Sequence, residues 1–132
     1  MRHLVQVSHA LADETRWRVL CLLSGGPMCV CELADILGMP QSSVSSHLQI
    51  IRKAGLLDSE RCGKWVYYAI AARHRSFLAG LAETFPASSE ERSILDRDSQ
   101  KAAERIARRA ESCCPLPNRL SANLIDRPRY HS

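Results

Sequence analysis

With 132 residues, a net charge of +4 and 45% hydrophobic residues, the chain is sized for one compact domain plus an extension. It has no apolar run of about 18 residues and no signal-like leader, which predicts a cytoplasmic protein that makes no membrane contact. Six cysteines in that compartment are expected to be thiols, serving soft ions, redox chemistry or a small core rather than a disulfide framework. Arginine outnumbers lysine fifteen to three, which permits phosphate contact without establishing it.

Val5 to Leu11 is spaced for a short helix ending near Asp13, and Asp13 is placed to cap a second helix, Glu14 to Leu23. The run Val19-Leu20-Cys21-Leu22-Leu23 makes that helix core, Cys21 included, until Ser24-Gly25-Gly26-Pro27 stops it. Val30, Leu33, Ile36 and Leu37 predict a third helix over 30–37, with Gly38 as a left-handed stop and Met39-Pro40 as the turn. Gln41 to Ala54 follows, with Val44, Leu48 and Ile51 on one face and Ser42, Ser46, Gln49 and Lys53 opposite. Two helices joined by a short glycine-containing turn form a helix-turn-helix, whose second helix enters the major groove.

After Gly55, the segments Leu56 to Glu60 and Trp65 to Ile70 flank Arg61-Cys62-Gly63-Lys64, a hairpin with a basic tip. Placed behind a helix-turn-helix, such a hairpin is a wing, and Trp65, Tyr67 and Tyr68 are read as its packing residues. Ala71 to Phe85 is helical, with an apolar stripe of Phe77, Leu78, Leu81 and Phe85. That stripe and the first helix exceed what one small core covers, so both point to a homodimer interface. Ser88 and Glu91 have capping-box spacing and open a charged helix running to about Ser112. Its thin seam, Leu95, Ala102, Ile106 and Cys113, predicts weak packing and a solvated charged face. Pro115, Pro117 and Pro128 then suggest a disordered tail.

The expected fold class is therefore mostly α with a β-hairpin wing, a homodimeric winged helix-turn-helix with a C-terminal helical extension. Residues 1–87 would form the DNA-binding and dimerisation domain, 88–114 the extension ending in a vicinal cysteine pair, and 115–132 the tail.

Four stretches together resemble the arsenical-resistance repressors of the ArsR/SmtB family. They are Leu11-Ala12-Asp13-Glu14-Thr15-Arg16, Cys29-Val30-Cys31-Glu32-Leu33, Ser45-Ser46-His47-Leu48 and Gly63-Lys64-Trp65-Val66-Tyr67-Tyr68. The resemblance covers roughly residues 4 to 85 in order. It implies a dimeric repressor of a resistance operon that leaves DNA when As(III) or Sb(III) binds as inducer, with no permanently bound cofactor. Two positions depart from the family pattern. Ala34 stands where the Cys-Val-Cys-Asp-Leu-Cys site has its third cysteine, and Ser46 stands where a basic or amide residue often precedes the histidine.

Thiolates select soft ions, and trivalent arsenic takes three sulfurs in a pyramid. Cys29 and Cys31 supply two, and Cys113 and Cys114 are the source of the rest, from the same subunit or its partner. On a regular helix, residues i and i+2 lie about 200° apart. A shared ion at Cys29 and Cys31 therefore requires a non-helical turn, and binding is expected to unwind or block the start of helix 30–37. On DNA, Ser42, Ser43, Ser46 and Gln49 are assigned to base edges and phosphates, and Lys53 to the backbone. Arg61 and Lys64 on the wing are assigned to backbone or minor groove. Gln41, Ser45 and His47 complete the candidate surface, His47 divided between DNA contact and helix anchoring.

A thiol redox sensor using Cys113 and Cys114, or a zinc or cadmium sensor using Cys29 and Cys31, is the alternative within this fold. Cys62 is read as incidental or as a minor reactive thiol. Cys113 to Arg119 formally satisfies the Cys-x5-Arg pattern of thiol phosphatases and some arsenate reductases. Its two prolines remove N–H donors that an anion-cradling loop needs, so no enzyme is expected.

Overall fold

The computed structural model describes residues 1–109; Cys113, Cys114 and the predicted tail lie outside the described residues. Nine elements follow in order: α1 (Arg2–Leu11), α2 (Glu14–Leu23), β1 (Met28–Cys29), α3 (Val30–Leu37), α4 (Gln41–Lys53), β2 (Leu57–Cys62), β3 (Trp65–Ile70), α5 (Arg75–Thr84) and α6 (Ser89–Ala107). A single 3-10 turn, Ala72–His74, precedes α5.

Local chemistry sets most of these boundaries. Asp13 adopts extended geometry and its carboxylate accepts from the Arg16 N–H at 3.0 Å, capping α2. Gly38 ends α3 at φ 64°, and the Met39 N–H donates back to Ala34 O at 3.2 Å. Ser88 and Glu91 form the reciprocal box that opens α6. Asp13→Ala is expected to cost about 0.5–2 kcal/mol of unfolding free energy. The Arg16 N–H is the main cause that holds the Asp13 carboxyl below its ordinary range, with the Arg16 and His47 charges adding to it against a desolvation penalty. A depressed carboxyl stabilises the fold above its unfolded pKa of about 3.9 and loses that contribution as pH falls through the folded value. Urea titrations of wild type and variant should therefore differ fully near neutrality and converge below about pH 4.

The core is continuous through the helix-turn-helix. Val19, Leu23, Met28, Leu33, Val44, Leu48, Ile51 and Leu56 are fully buried, and Ala10, Leu78 and Ala102 bring α1, α5 and α6 to the same cluster. The sheet has the order β1-β3-β2, all antiparallel, with Cys29 opposite Tyr67 and Glu60 opposite Tyr67 on the other side. The hairpin turn is Gly63-Lys64, with Gly63 at φ 64°, so Arg61 and Cys62 belong to the strand rather than to the tip.

Four expectations change. The two-residue strand β1 is a third strand that the Pro-Met-Cys segment did not announce. Cys21 is only half-buried, at the edge of the core. The apolar stripe of α5 divides: Leu78 is core, whereas Phe77 and Phe85 remain 44% and 73% exposed. And α6 is held by more than its seam. Its charged residues pair with the domain, Arg18 with Asp98 through two 2.8 Å contacts and Arg105 with Asp35 at 3.0 Å. The Asp98 hydrogen bond draws the Arg18 pKa upward, as expected for a guanidinium bound to a buried carboxylate.

Candidate functional site

Cys29 is both the last residue of β1 and the N-cap of α3, at φ −90° and ψ 167°. That extended geometry removes the helical misfit between positions i and i+2. The Cys29 and Cys31 sulfurs lie 2.8 Å apart while α3 is intact. This is the non-helical turn that the spacing asks for: the cap residue lies outside the helix, and its side chain is directed toward the first turn. Cys29 is 1% exposed and Cys31 is half-buried, which leaves one sulfur as the point of entry.

Around the pair, Glu32 is fully buried and its Oε1 accepts from the Cys29 N–H at 3.1 Å, completing a capping box in which a thiol takes the place of the usual hydroxyl. Arg109 donates to the same carboxylate through Nε at 2.7 Å and Nη2 at 3.0 Å, and Nη2 also reaches Pro27 O at 2.7 Å. Its guanidinium stands 5.5 Å from the Tyr67 ring centre. Cys62 and Trp65 pack on the Cys29–Tyr67 cluster, so the wing and the thiol pair share one small hydrophobic patch. Among the described residues, no third His, Cys, Asp or Glu joins Cys29 and Cys31 in a metal-binding group. Cys21 belongs elsewhere. Burial pushes its thiol up to about 11, and it lines a cavity of about 390 Å³ with Trp17, Phe85 and Leu95 that includes neither Cys29 nor Cys31.

On α4, Gln41, Ser42, Ser46, Gln49 and Lys53 are exposed, whereas Ser43 and Ser45 are half-buried. The Ser46 hydroxyl donates to Ser42 O at 3.0 Å, and Gln49 Nε2 donates to the Tyr68 hydroxyl at 3.5 Å. His47 turns inward. Its Nδ1 lies 3.3 Å from Arg16 Nη1 and 3.9 Å from Asp13 Oδ2. Arg16 is itself fixed by donating to Ala10 O and His9 O at 2.9 and 2.7 Å. The Asp13, Arg16 and His47 side chains thus tie α1, α2 and α4 together, which favours the anchoring role for His47. On the wing, Arg61 and Lys64 are exposed and Lys64 Nζ lies 5.1 Å from the Trp65 ring centre.

Sequence reasoning missed Arg16, Glu32, Arg109 and the exposed Arg52 at the end of α4. The motif Asp13-Glu14-Thr15-Arg16 carried a signal for Arg16. Nothing in the order of residues marks Arg109 as a partner of Glu32.

A helix-turn-helix of α3 and α4 followed by the β2–β3 wing defines a winged helix-turn-helix transcriptional regulator. Residues 13–59 match the sequence model of the family described as bacterial regulatory protein, arsR family. The arsenical resistance operon repressor of Escherichia coli K12 is 43% identical over 80 residues, 60% of this chain and 68% of that protein. The arsenic resistance transcriptional regulator ArsR1 of Pseudomonas putida is 45% identical over 65 residues, and the chain spans 51% of its length. The solution structure of a homodimeric winged helix-turn-helix DNA-binding domain from Mycobacterium bovis superposes with a TM-score of 0.58 at 31% identity, covering 63% of this chain and 77% of that one. The chain belongs to the arsR family. No described helix is long and apolar enough to cross a membrane.

Proposed function

We propose that the protein is a dimeric repressor that binds a palindromic operator and releases it when As(III) or Sb(III) is captured by cysteine thiolates. The observation that carries this reading is the 2.8 Å approach of the Cys29 and Cys31 sulfurs at the junction of wing sheet and helix-turn-helix. Two sulfurs brought together in one turn suit a soft ion, and the names of the E. coli and P. putida relatives point to arsenic. Cys113 and Cys114 are proposed to complete the three-sulfur pyramid. Each sulfur replaces one hydroxyl of arsenous acid, and its proton leaves with that oxygen as water, so no electrons change hands.

Because Cys29 pairs with Tyr67 in the sheet and caps α3, a shift of its backbone acts in two directions. It moves β3 and so the wing. It also moves α3, which packs on α4 and is joined to it by Gly38-Met39-Pro40. Release then follows from displacing two DNA-contacting elements rather than from melting a helix. The exposed Leu4, Val5, Phe77 and Phe85 on α1 and at α5 supply the apolar surface that a second copy would cover.

Gln41, Ser42, Ser43, Ser45, Ser46 and Gln49 are assigned to the major groove, with Lys53 on the backbone and His47 as anchor. Arg61 and Lys64 are assigned to the wing's phosphate contact. Lys64→Ala should weaken binding to all duplexes alike and lower the salt slope by about one, measured by fluorescence anisotropy across salt concentrations. An unchanged slope would remove Lys64 from the interface. The function itself is tested by titrating arsenite, antimonite, zinc, cadmium and peroxide against operator-bound protein. Release by arsenite or antimonite supports the reading, and release by zinc, cadmium or peroxide alone overturns it.

A further inference from the structure

We propose that Arg16 is the positioning residue that joins the partner-facing helix α1 to the recognition helix α4, and so sets the spacing of the two half-sites that a dimer reads. The inference rests on the dimeric repressor proposed above and adds what holds its two recognition helices in register. Arg16 is 6% exposed, and all three guanidinium nitrogens are engaged. Nε and Nη2 donate to Ala10 O at 2.9 Å and to His9 O at 2.7 Å, carbonyls in the last turn of α1, where the helix lacks donors of its own and its dipole favours a cation. Nη1 lies 3.3 Å from His47 Nδ1, in the middle of α4.

The chemistry of that last contact fixes the state of His47. A guanidinium has donors only, so the ring nitrogen facing it accepts, which leaves the ring neutral with its proton on Nε2. Asp13 Oδ2, the carboxylate that would favour an imidazolium, stands farther off at 3.9 Å, beyond hydrogen-bond range. Arginine suits the task because one planar fork spans two backbone carbonyls and the ring at once, whereas lysine offers a single point charge.

The two helices are tied a second time. His3 Nε2, in the first turn of α1, lies 2.9 Å from Ala54 O at the C-cap of α4, and the helices pack directly on each other. Held at two points, they form one piece. The same α1 leaves Leu4 and Val5 71% and 64% exposed, part of the apolar surface assigned above to a second copy. Any rotation of α4 against α1 therefore changes the distance between the two recognition helices. A palindrome tolerates little of it, because one base pair displaces a half-site by about 3.4 Å and about a tenth of a turn.

The test uses the full chain and the duplex that wild type selects from a random pool, together with its single half-site and a version carrying one extra base pair between half-sites. Arg16→Met should bind the selected duplex about tenfold more weakly, keep wild-type affinity for the single half-site and lose most of the discrimination against the extra base pair. Its salt slope should not change, because a residue that contacts no phosphate releases no counterions. Equal losses on half-site and full site, the mark of a merely structural role, would overturn the assignment, as would a lower slope. His47→Asn keeps an acceptor where Nδ1 stands and should behave as wild type, whereas His47→Leu should behave as Arg16→Met. Equal losses in those two variants would overturn the acceptor role. Nitrogen NMR of wild type answers even if Arg16→Met does not fold: the neutral His47 ring should carry its proton on Nε2, and a proton on Nδ1 would overturn the proposal. Wild type that selects no paired half-sites defeats the dimeric reading itself. Paired half-sites with unaltered spacing discrimination in Arg16→Met defeat the role of Arg16 alone.

Discussion

The double variant Cys29→Ser/Cys31→Ser is expected to hold the operator within about twofold of wild-type affinity and to ignore arsenite at about 100 times the concentration that half-releases wild type. Serine preserves the size of both side chains and can serve the N-cap better than cysteine, so α3 should remain in place. What it removes is the soft donor. A hydroxyl offers a trivalent arsenic centre nothing that water does not, and the remaining tail thiols lack the fixed geometry of the 2.8 Å pair. Anisotropy titrations of labelled operator measure both quantities at once. Cys21→Ser is the control, because its thiol sits apart from the pair and is held protonated by burial. Release of the double variant at the wild-type arsenite concentration would place the sensor elsewhere.

Glu32→Ala should lower unfolding free energy by about 3–5 kcal/mol. The carboxylate is fully buried and serves two donors on opposite sides, the Cys29 N–H and the Arg109 guanidinium. Its removal leaves one buried backbone donor and one buried cation without the acceptor that both use. Asp35→Ala at the exposed end of the neighbouring ion pair should cost less than about 1 kcal/mol, since water already screens that contact. Urea unfolding followed by circular dichroism measures the contrast. Equal midpoints for the two variants would show that burial does not govern the Glu32 pair.

These two residues, Cys29 and Glu32, also mark how far the chain could be read before its structure. The helix-turn-helix was legible because its information is local: Gly38 at the left-handed stop, Val44, Leu48 and Ile51 at helical spacing, and Asp13 and Ser88 at caps all act within a few residues of themselves. The wing followed from β-rich residues about a glycine turn, with only its tip misplaced by two positions. The thiol pair was legible as chemistry but not as geometry. Helical spacing asked for a non-helical turn there, and only the structure supplies it, because Cys29 belongs to a strand as well as to a cap.

Residue order alone thus determined the class of regulator and the helix-turn-helix and wing that define it, since periodicity and capping are properties of short segments. Tertiary structure alone decided that Cys29 pairs with Tyr67, that Asp98 and Arg105 of the otherwise exposed charged face of α6 tie it to Arg18 and Asp35, and that Arg109 closes on Glu32. The physical reason is separation along the chain. Arginine and glutamate are ordinary surface residues at any position, and only a fold that brings residues 77 apart into one buried contact turns them into a joint.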